Sequence, residues 1–284
     1  LIYGLFSFIA FFIDDTTTYY ADYYSNKFRI VVESFPLIGQ HPIYASLYSG
    51  LSIIFLFELI FTNRQKLSLL KKVYYFSSFL VAVLLLIMLS SKGVILSLFF
   101  LFLHFLFIKF KRNYKLIIGG VLIFFIGLSM LFVYNRRMNE MLRIESYSTV
   151  NSNFSNSFRV SIYDCCFKAI SKKWWIGYGV GSVQEELNKC YKDKSSLLLE
   201  KTYNSHNQYL DFFLKTGVLG FLFFLFLLTY NFYQGVYHKD YSFCAIILFF
   251  GLLFLTENIL ARQTGVILFS YLLNFLMPKT LDEK

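Results

Sequence analysis

The sequence predicts an all-α, polytopic integral membrane protein with about eight transmembrane helices and one large helical extracytoplasmic loop. Three observations predict it. Of 284 residues, 57% are hydrophobic, 21% aromatic and only 15% charged, and the mean hydropathy is +0.55. A soluble domain of this size cannot hide so much apolar surface, whereas lipid solvates it. Apolar runs recur at 1–13, 43–61, 73–89, 94–108, 116–134, 209–233, 241–255 and 264–277. Between the fifth and sixth runs lies one long polar segment, 135–208. The chain therefore divides into transmembrane helices with short loops (1–134), an extracytoplasmic loop (135–208) and C-terminal transmembrane helices (209–284). Leu1 already lies inside an apolar run, so further N-terminal helices are expected to precede it.

Each run ends where charge, Pro or Gly appears. The first gives way to a polar, Tyr-rich stretch, 14–42, that carries Arg29 and closes on His41-Pro42. The second and third are separated by 62–72, with Arg64, Lys66, Lys71 and Lys72. The very short Ser90-Ser91-Lys92-Gly93 turn joins the third to the fourth. A basic loop, 109–115, leads to the fifth. After the long segment, His238-Lys239-Asp240 and a polar turn at 256–263 separate the last three runs.

Orientation follows from the short loops. Segments 62–72, 109–115, 234–240 and the tail 278–284 hold eleven Lys and Arg, whereas the opposite segments 14–42, 90–93 and 256–263 hold four. Lys and Arg collect on the cytoplasmic side, so the first set is expected there and the long segment outside. The same rule accounts for the net charge of +10 without a nucleic-acid partner; the expected partner of the helices is the lipid bilayer.

The long segment reads as structured. Phe158, Ile162, Cys165, Cys166, Ala169 and Ile170 recur at helical spacing, as an amphipathic helix requires. Downstream comes Trp174-Trp175-Ile176-Gly177-Tyr178-Gly179-Val180-Gly181-Ser182. Its aromatics fit an interfacial belt or a sugar-stacking surface, and Trp and Tyr are enriched at membrane surfaces. Its three glycines can either expose backbone N–H groups to a phosphate or form a tight turn. A bridge from Cys190 to Cys165 or Cys166 is open on this side of the membrane, where disulfides persist, but the spacing does not choose the partner. No His/Cys cluster has zinc spacing, no carboxylate pair resembles a Mg²⁺ site, and no Walker-type loop is present, so the expectation is an activity with no metal and no cofactor.

The stretch Asn204–Gly220, NSHNQYLDFFLKTGVLG, joins the polar segment to an apolar run. Read as one continuous helix, it places His206, Leu210, Phe213 and Gly217 on one face and Asn207, Asp211 and Lys215 beside them. Ionisable groups entering a membrane helix usually face protein or a wet cavity. Asp211 four residues ahead of Lys215 is also a favourable helix pair. The predicted topology collects Arg29, His41, Lys92, Arg159, His206, Glu257 and Arg262 at one membrane face. Cations there can cradle a diphosphate, and a histidine among them can move a proton. The plainer readings are a solvated Arg29, a snorkelling Lys92 and a Glu257–Arg262 pair.

Several of these fragments, in order, resemble the O-antigen ligase and O-antigen polymerase superfamily of bacterial membrane glycosyltransferases. Gly39-Gln40-His41-Pro42-Ile43-Tyr44-Ala45 resembles the family's Gly-x-His-Pro/Asn segment opening a membrane helix. Ser91-Lys92-Gly93 resembles its Ser-Arg-Gly turn. Arg159 and Gly177-Tyr178-Gly179-x-Gly181 resemble the Arg-rich helix and Gly-Tyr-Gly stretch of its large loop. Ser205-His206-Asn207-x-Tyr209-Leu210 with Thr216-Gly217-x-x-Gly220 resembles its His-Asn-x-x-Leu…Thr-Gly-x-x-Gly signature. Lys92 stands where Arg is usual, keeping the charge but losing bidentate phosphate recognition. Trp174-Trp175 stands where Pro is common.

The resemblance implies a multi-pass protein of the bacterial inner (cytoplasmic) membrane with its active site facing the periplasm. It implies transfer of a glycan from an undecaprenyl diphosphate carrier to a hydroxyl of a lipid A core or of a growing glycan. Arg159 would engage the diphosphate and His206 would orient or deprotonate the acceptor, with Lys92, Arg29, His41, Asn207, Arg262 and Glu257 as binding residues. The donor carries its own leaving group, so charge stabilisation and positioning suffice for an inverting displacement. No glycosidase-like carboxylate pair is evident. Ligase and polymerase share these motifs. A glycan or lipid transporter, the reading from another class, predicts an internal repeat or helices broken at mid-membrane, and the sequence displays neither.

Overall fold

The computed structural model describes residues 1–13, 24–34, 39–62, 68–109, 114–143, 147, 155–200 and 202–277. Arg64, Lys66, Lys111, Arg112 and the tail, on which the expected orientation partly rests, lie outside the described residues. Among those described, every regular element is helical. All eight apolar runs are helices: α1 (Ile2–Ile13), α3 (Pro42–Thr62), α4 (Leu69–Leu89), α5 (Lys92–Lys109), α6 (Tyr114–Tyr134), α11 (Gln208–Tyr237), α12 (Tyr241–Leu253) and α13 (Gln263–Leu276). Three stretches, Pro42–Ile60, Leu69–Leu89 and Gln208–Tyr237, are long and apolar enough to cross a bilayer, and most of each lies unburied by protein. The chain is a polytopic helical membrane protein.

The chain divides into two compact units, Leu1–Asn139 and Glu140–Lys284. In the first, α3 packs along α4, and the Ser49 hydroxyl donates to the Ala82 carbonyl at 2.5 Å. The stretch 14–42, read from sequence as polar, contains a helix, α2 (Tyr24–Ser34). Phe28, Val31 and Val32 recur at i, i+3 and i+4 and are almost fully buried against Ala10, Phe11, Leu85 and Leu89. The charged and polar residues around them, Lys27, Arg29 and Glu33 among them, hid this short amphipathic face. The short α7 (Arg136–Asn139) closes the unit.

The second unit holds α8 (Ser155–Lys172), α9 (Val183–Lys194), α10 (Ser196–Glu200) and α11–α13. On α8, Phe158, Ile162, Cys165, Cys166 and Ala169 are buried, as the periodicity predicts. They pack on Val183, Leu187, Tyr191, Leu198 and Leu214. Cys165 is bonded to Cys190, which decides the open pairing and ties α8 to α9. The long polar segment from Glu140 onward and the C-terminal helices thus fold as one unit.

α11 is not the straight helix expected. Phe213 meets Phe221 at 5.0 Å between ring centroids, Phe212 stacks on Phe224 at 4.2 Å, and Tyr209 meets Phe224 at 5.7 Å. Residues twelve apart in a continuous helix lie about 18 Å apart, so the chain folds back. It does so at Gly217 (φ 67°, ψ −166°), a backbone state reserved largely for glycine. The break leaves backbone groups unpaired, and the segment after α8 pairs them. Tyr178 N donates to Leu214 O (2.7 Å), Gly179 N to Lys215 O (2.9 Å), and Val218 N to Trp174 O (2.9 Å). Gly177 N donates to Lys173 O (3.1 Å), so two of the three glycine N–H groups considered for phosphate, those of Gly177 and Gly179, serve the fold.

The longer arm of α11, 218–237, runs antiparallel to α12. Gly235 lies against Cys244, and Phe224 against Phe254. These contacts stay in step along both helices. The turn after α12, which carries Glu257, therefore sits level with Phe224, about 9 Å short of Val218 at 1.5 Å per residue.

Candidate functional site

Four residues singled out in the sequence meet in the second unit: Arg159, His206, Asn207 and Glu257. Local sequence builds the histidine's position. The Asn204 Oδ1 accepts from His206 N at 3.0 Å, closing an Asx-turn. His206 then takes φ +45°, a left-handed state that histidine and asparagine tolerate better than most residues. Asn207 is the N-cap of α11, and its Oδ1 accepts from Tyr209 N (3.0 Å) and Leu210 N (3.1 Å). Its Nδ2 donates to Leu255 O at 2.9 Å. His206 therefore precedes the helix instead of lying on its face, because the helix starts only after the Asn207 cap.

The facing turn, 254–262, is bonded to this corner at several points. Gln208 N donates to Phe254 O (2.8 Å), the Gln208 Oε1 accepts from Leu260 N (2.7 Å), and the Tyr209 hydroxyl donates to Gly251 O (2.7 Å). The Asn258 Nδ2 donates to the Ser205 Oγ at 2.9 Å. Glu257 is thereby held against the histidine.

Arg159 Nη2 donates to Glu257 Oε1 at 2.6 Å, and His206 Nδ1 lies 3.5 Å from Glu257 Oε2. Side-chain exposures of 25%, 20% and 28% for Arg159, Glu257 and His206 leave all three partly open. The Arg159 charge is compensated within the protein, so the cationic cradle expected from sequence contains its own carboxylate. Nδ1 facing a carboxylate favours the tautomer with its proton there, leaving Nε2 as an acceptor. Tyr203 covers the His206 ring at 5.7 Å between centroids.

Sequence reasoning missed Tyr163. Its hydroxyl reaches the carbonyls of His206 (3.2 Å) and Leu255 (3.3 Å), bracing both sides of the corner. Burial pushes this phenol above its ordinary range, opposed by the nearby Arg159 charge, so it stays a donor. Its place one helical turn after Arg159 on α8 was the available signal. Arg262 is exposed at the N-cap of α13, and the salt bridge of Glu257 is made instead with Arg159. Asp211 and Lys215 form the expected ion pair, at 2.5 Å, with Asp211 buried; it is a structural contact within α11.

In the first unit, Arg29 and His41 line one cavity of about 250 Å³ with Asn26, Ile30, Glu33 and Pro42. Arg29 Nη1 donates to Leu89 O at 2.9 Å, at the end of α4. There Ser90 adopts φ +50° and its hydroxyl accepts from Asn135 Nδ2. Lys92 follows, buried at the first turn of α5, so neither Arg29 nor Lys92 is the solvated or snorkelling charge of the plainer reading. His41 opens α3, whose first residue is Pro42. Among the described residues no group of His, Cys, Asp and Glu has the arrangement of a metal site.

Among curated proteins nothing matches the chain. A protein-family profile described as O-antigen ligase matches residues 77–225, just over half of the chain. The matched stretch includes Ser91-Lys92-Gly93, Arg159, the Gly177-Tyr178-Gly179 segment, His206 and the Gly217 break, while Glu257 and Arg262 follow it. The chain belongs to the O-antigen ligase family, bacterial membrane proteins of the glycosyltransferase type.

Proposed function

We propose that this protein is an inner-membrane glycan ligase whose extracytoplasmic site moves a glycan from an undecaprenyl diphosphate carrier to a hydroxyl of a lipid A core. The observation that carries this reading is the Arg159–Glu257–His206 constellation on a membrane-protein corner, in a chain matched by the O-antigen ligase profile. In the proposed step the acceptor oxygen attacks the anomeric carbon as the bond to the diphosphate oxygen breaks. The leaving diphosphate keeps that electron pair, and Arg159 stabilises the growing charge. The hydroxyl proton passes to His206 Nε2. Direct displacement inverts the anomeric carbon and needs no covalent intermediate. Glu257 orients the imidazole and is a positioning residue. Arg29, His41 and Lys92 are assigned to substrate binding on the same side of the bilayer by the topology read from sequence, together with Asn207 and Arg262.

Extension of the glycan on its carrier, the polymerase reaction, uses the same chemistry with a different acceptor. A deletion strain separates them. Loss of all capping glycan with carrier-linked polymer retained supports the ligase, whereas core capped by a single unit overturns it in favour of the polymerase. The observation that favours a transporter is the break in α11. Its freed Leu214 and Lys215 carbonyls and Val218 N–H are all taken by the 174–179 backbone, so they do not line a transport site.

A further inference from the structure

We infer that the segment Trp174–Val180 is a membrane-interface wedge, seated among the headgroups and upper acyl chains of the extracytoplasmic leaflet. This concerns where the segment sits and stands independently of the reaction proposed above. Trp174, Trp175, Ile176 and Val180 are 52%, 53%, 70% and 78% exposed, an unusual cluster on a segment outside the apolar runs. The segment has a fixed seat. Trp174, Tyr178 and Gly179 are hydrogen-bonded to the two sides of the α11 break, through Val218, Leu214 and Lys215.

That seat is at one end of a helix of membrane length. From Val218 to Tyr237 the arm has nineteen steps, or about 29 Å at 1.5 Å per residue. A bilayer's hydrocarbon core is about 30 Å thick. The arm exposes Leu219, Leu222, Phe223 and Phe226 from its first turns onward, so the lipid-facing belt begins where the wedge is bonded. Its other end exposes Tyr233 and Tyr237 and is followed by His238-Lys239. Trp and Tyr mark the two surfaces of a bilayer, and here the two aromatic groups are spaced by that thickness. Lys172 and Lys173 precede the wedge, with Lys173 Nζ 5.3 Å from the Tyr178 ring centre, and their stems can lie along acyl chains while the ammonium groups reach phosphates. Irregular backbone is tolerated at this depth where its polar groups are bonded, and the three cross-bonds to α11, with Gly177 N donating to Lys173 O at 3.1 Å, pair part of this segment's backbone. A sugar-stacking surface or a protein contact would not need an aromatic group one bilayer thickness from the far tyrosines.

The test uses full-length protein in phosphatidylethanolamine/phosphatidylglycerol vesicles, with and without bromine near the top of the acyl chains. The emission of Trp174 and Trp175 is obtained by subtracting that of the Trp174→Phe/Trp175→Phe double variant. Brominated lipid is expected to remove roughly half or more of that emission, and aqueous iodide little of it, as for interfacial tryptophan. Free quenching by iodide with none by brominated lipid overturns the inference and assigns the surface to water or sugar. Resistance to both quenchers overturns it in favour of a protein contact. An independent variant, Val180→Cys, carries a nitroxide; Cys166 and Cys244 are buried and Cys165 and Cys190 are bonded, so the label is selective. Collisions with oxygen should exceed those with a water-soluble nickel chelate, and the reverse order overturns the wedge even if the double variant fails to accumulate.

Discussion

Arg159 and Glu257 form a 2.6 Å ion pair across 98 positions of sequence, joining a helix of the long polar segment to a turn between two membrane helices. The arginine charge is thus satisfied before any donor arrives. In the proposed reaction an incoming diphosphate would compete with Glu257 for the guanidinium and leave the carboxylate to His206. Donor binding and orientation of the proposed base would then be linked through one carboxylate.

That linkage gives a set of expected rates. Arg159→Ala should lower glycan transfer by about 10²-fold or more, the usual effect of removing a preorganised charge-stabilising donor. Arg159→Lys should recover only part of it, because the fork that meets phosphate and carboxylate together is lost. Glu257→Gln should act mainly on kcat, by roughly 10- to 100-fold. Transfer assays with purified full-length protein check all three. Full transfer by Arg159→Ala at normal expression removes that residue from the mechanism.

The meeting of the Gly-Tyr-Gly and Thr-Gly-x-x-Gly motifs predicts a graded glycine series. A Cβ at Gly217 (φ +67°) would strike the Trp175 carbonyl, and one at Gly177 (φ +74°) would strike the backbone of Leu214 and Gly217. Alanine at either should cost more than about 3 kcal/mol, combining strain with a backbone collision. Gly179 (φ +77°) has open space around it, so Gly179→Ala should cost about 1–2 kcal/mol from conformation alone. Gly181→Ala meets nothing and should stay within about 0.5 kcal/mol. Thermal unfolding in detergent ranks the four. Equal midpoints for Gly217→Ala and Gly181→Ala would show that the seat on α11 is not formed.

Much of this architecture was legible in the sequence, for physical reasons that differ by element. Apolar runs marked the membrane helices because lipid solvation leaves hydropathy as the dominant signal. The 158–170 pattern marked α8 because one face packs on protein and the other meets water. The fold-back of α11 was not legible. Phe212, Phe213 and Leu214 before Gly217, and Val218 and Leu219 after it, read the same whether the helix runs on or reverses. Only the distant Trp174–Gly179 backbone decides. The salt-bridge partner of Glu257 was hidden for a similar reason. Arg262 is the nearer charge in sequence, but the tight turn at Ile259–Ala261 carries it to the start of α13, and Arg159 reaches the carboxylate from α8.

Thiol chemistry checks the packing of α8. Burial pushes the Cys166 thiol up to about 12, with the Asp211 carboxylate adding to the effect. At mildly alkaline pH its thiolate is therefore scarce, and Cys165 and Cys190 have no thiol to offer. A charged maleimide should leave the folded protein unmodified at Cys166 and label it only after unfolding. Rapid labelling of native Cys166 would mean that the α8–α9 layer is open.

Orientation is tested at two described, exposed positions. Ser196→Cys, in α10, is expected outside, and Lys239→Cys, in the turn between α11 and α12, inside. Lys239 already holds φ +58° without glycine, so cysteine adds little strain there. In intact cells an impermeant reagent should reach position 196 and spare position 239 until the membrane is opened. The inverse pattern would reverse the sidedness drawn from the charge count.

The final prediction concerns His206. A positioned general base contributes about 10²–10⁴-fold in rate, so His206→Ala should lower transfer by that order. Alanine also tolerates φ +45° less well, which mixes catalysis with strain. His206→Asn removes this ambiguity, because asparagine accepts the left-handed state and yet cannot take a proton. His206→Gln retains a side chain able to donate toward Glu257. If His206 accepts the hydroxyl proton, all three variants should lose transfer by similar factors while binding donor normally. Asn207→Ala should behave differently: it removes the acceptor for two N–H groups of α11 and should cost about 1–2 kcal/mol of stability, with transfer reduced less than in the His206 variants, through the loosened corner and the lost contact to substrate. Near-normal turnover in both His206→Asn and His206→Gln would assign the imidazole to positioning, and near-normal turnover in His206→Ala as well would return His206 to a structural place in the corner.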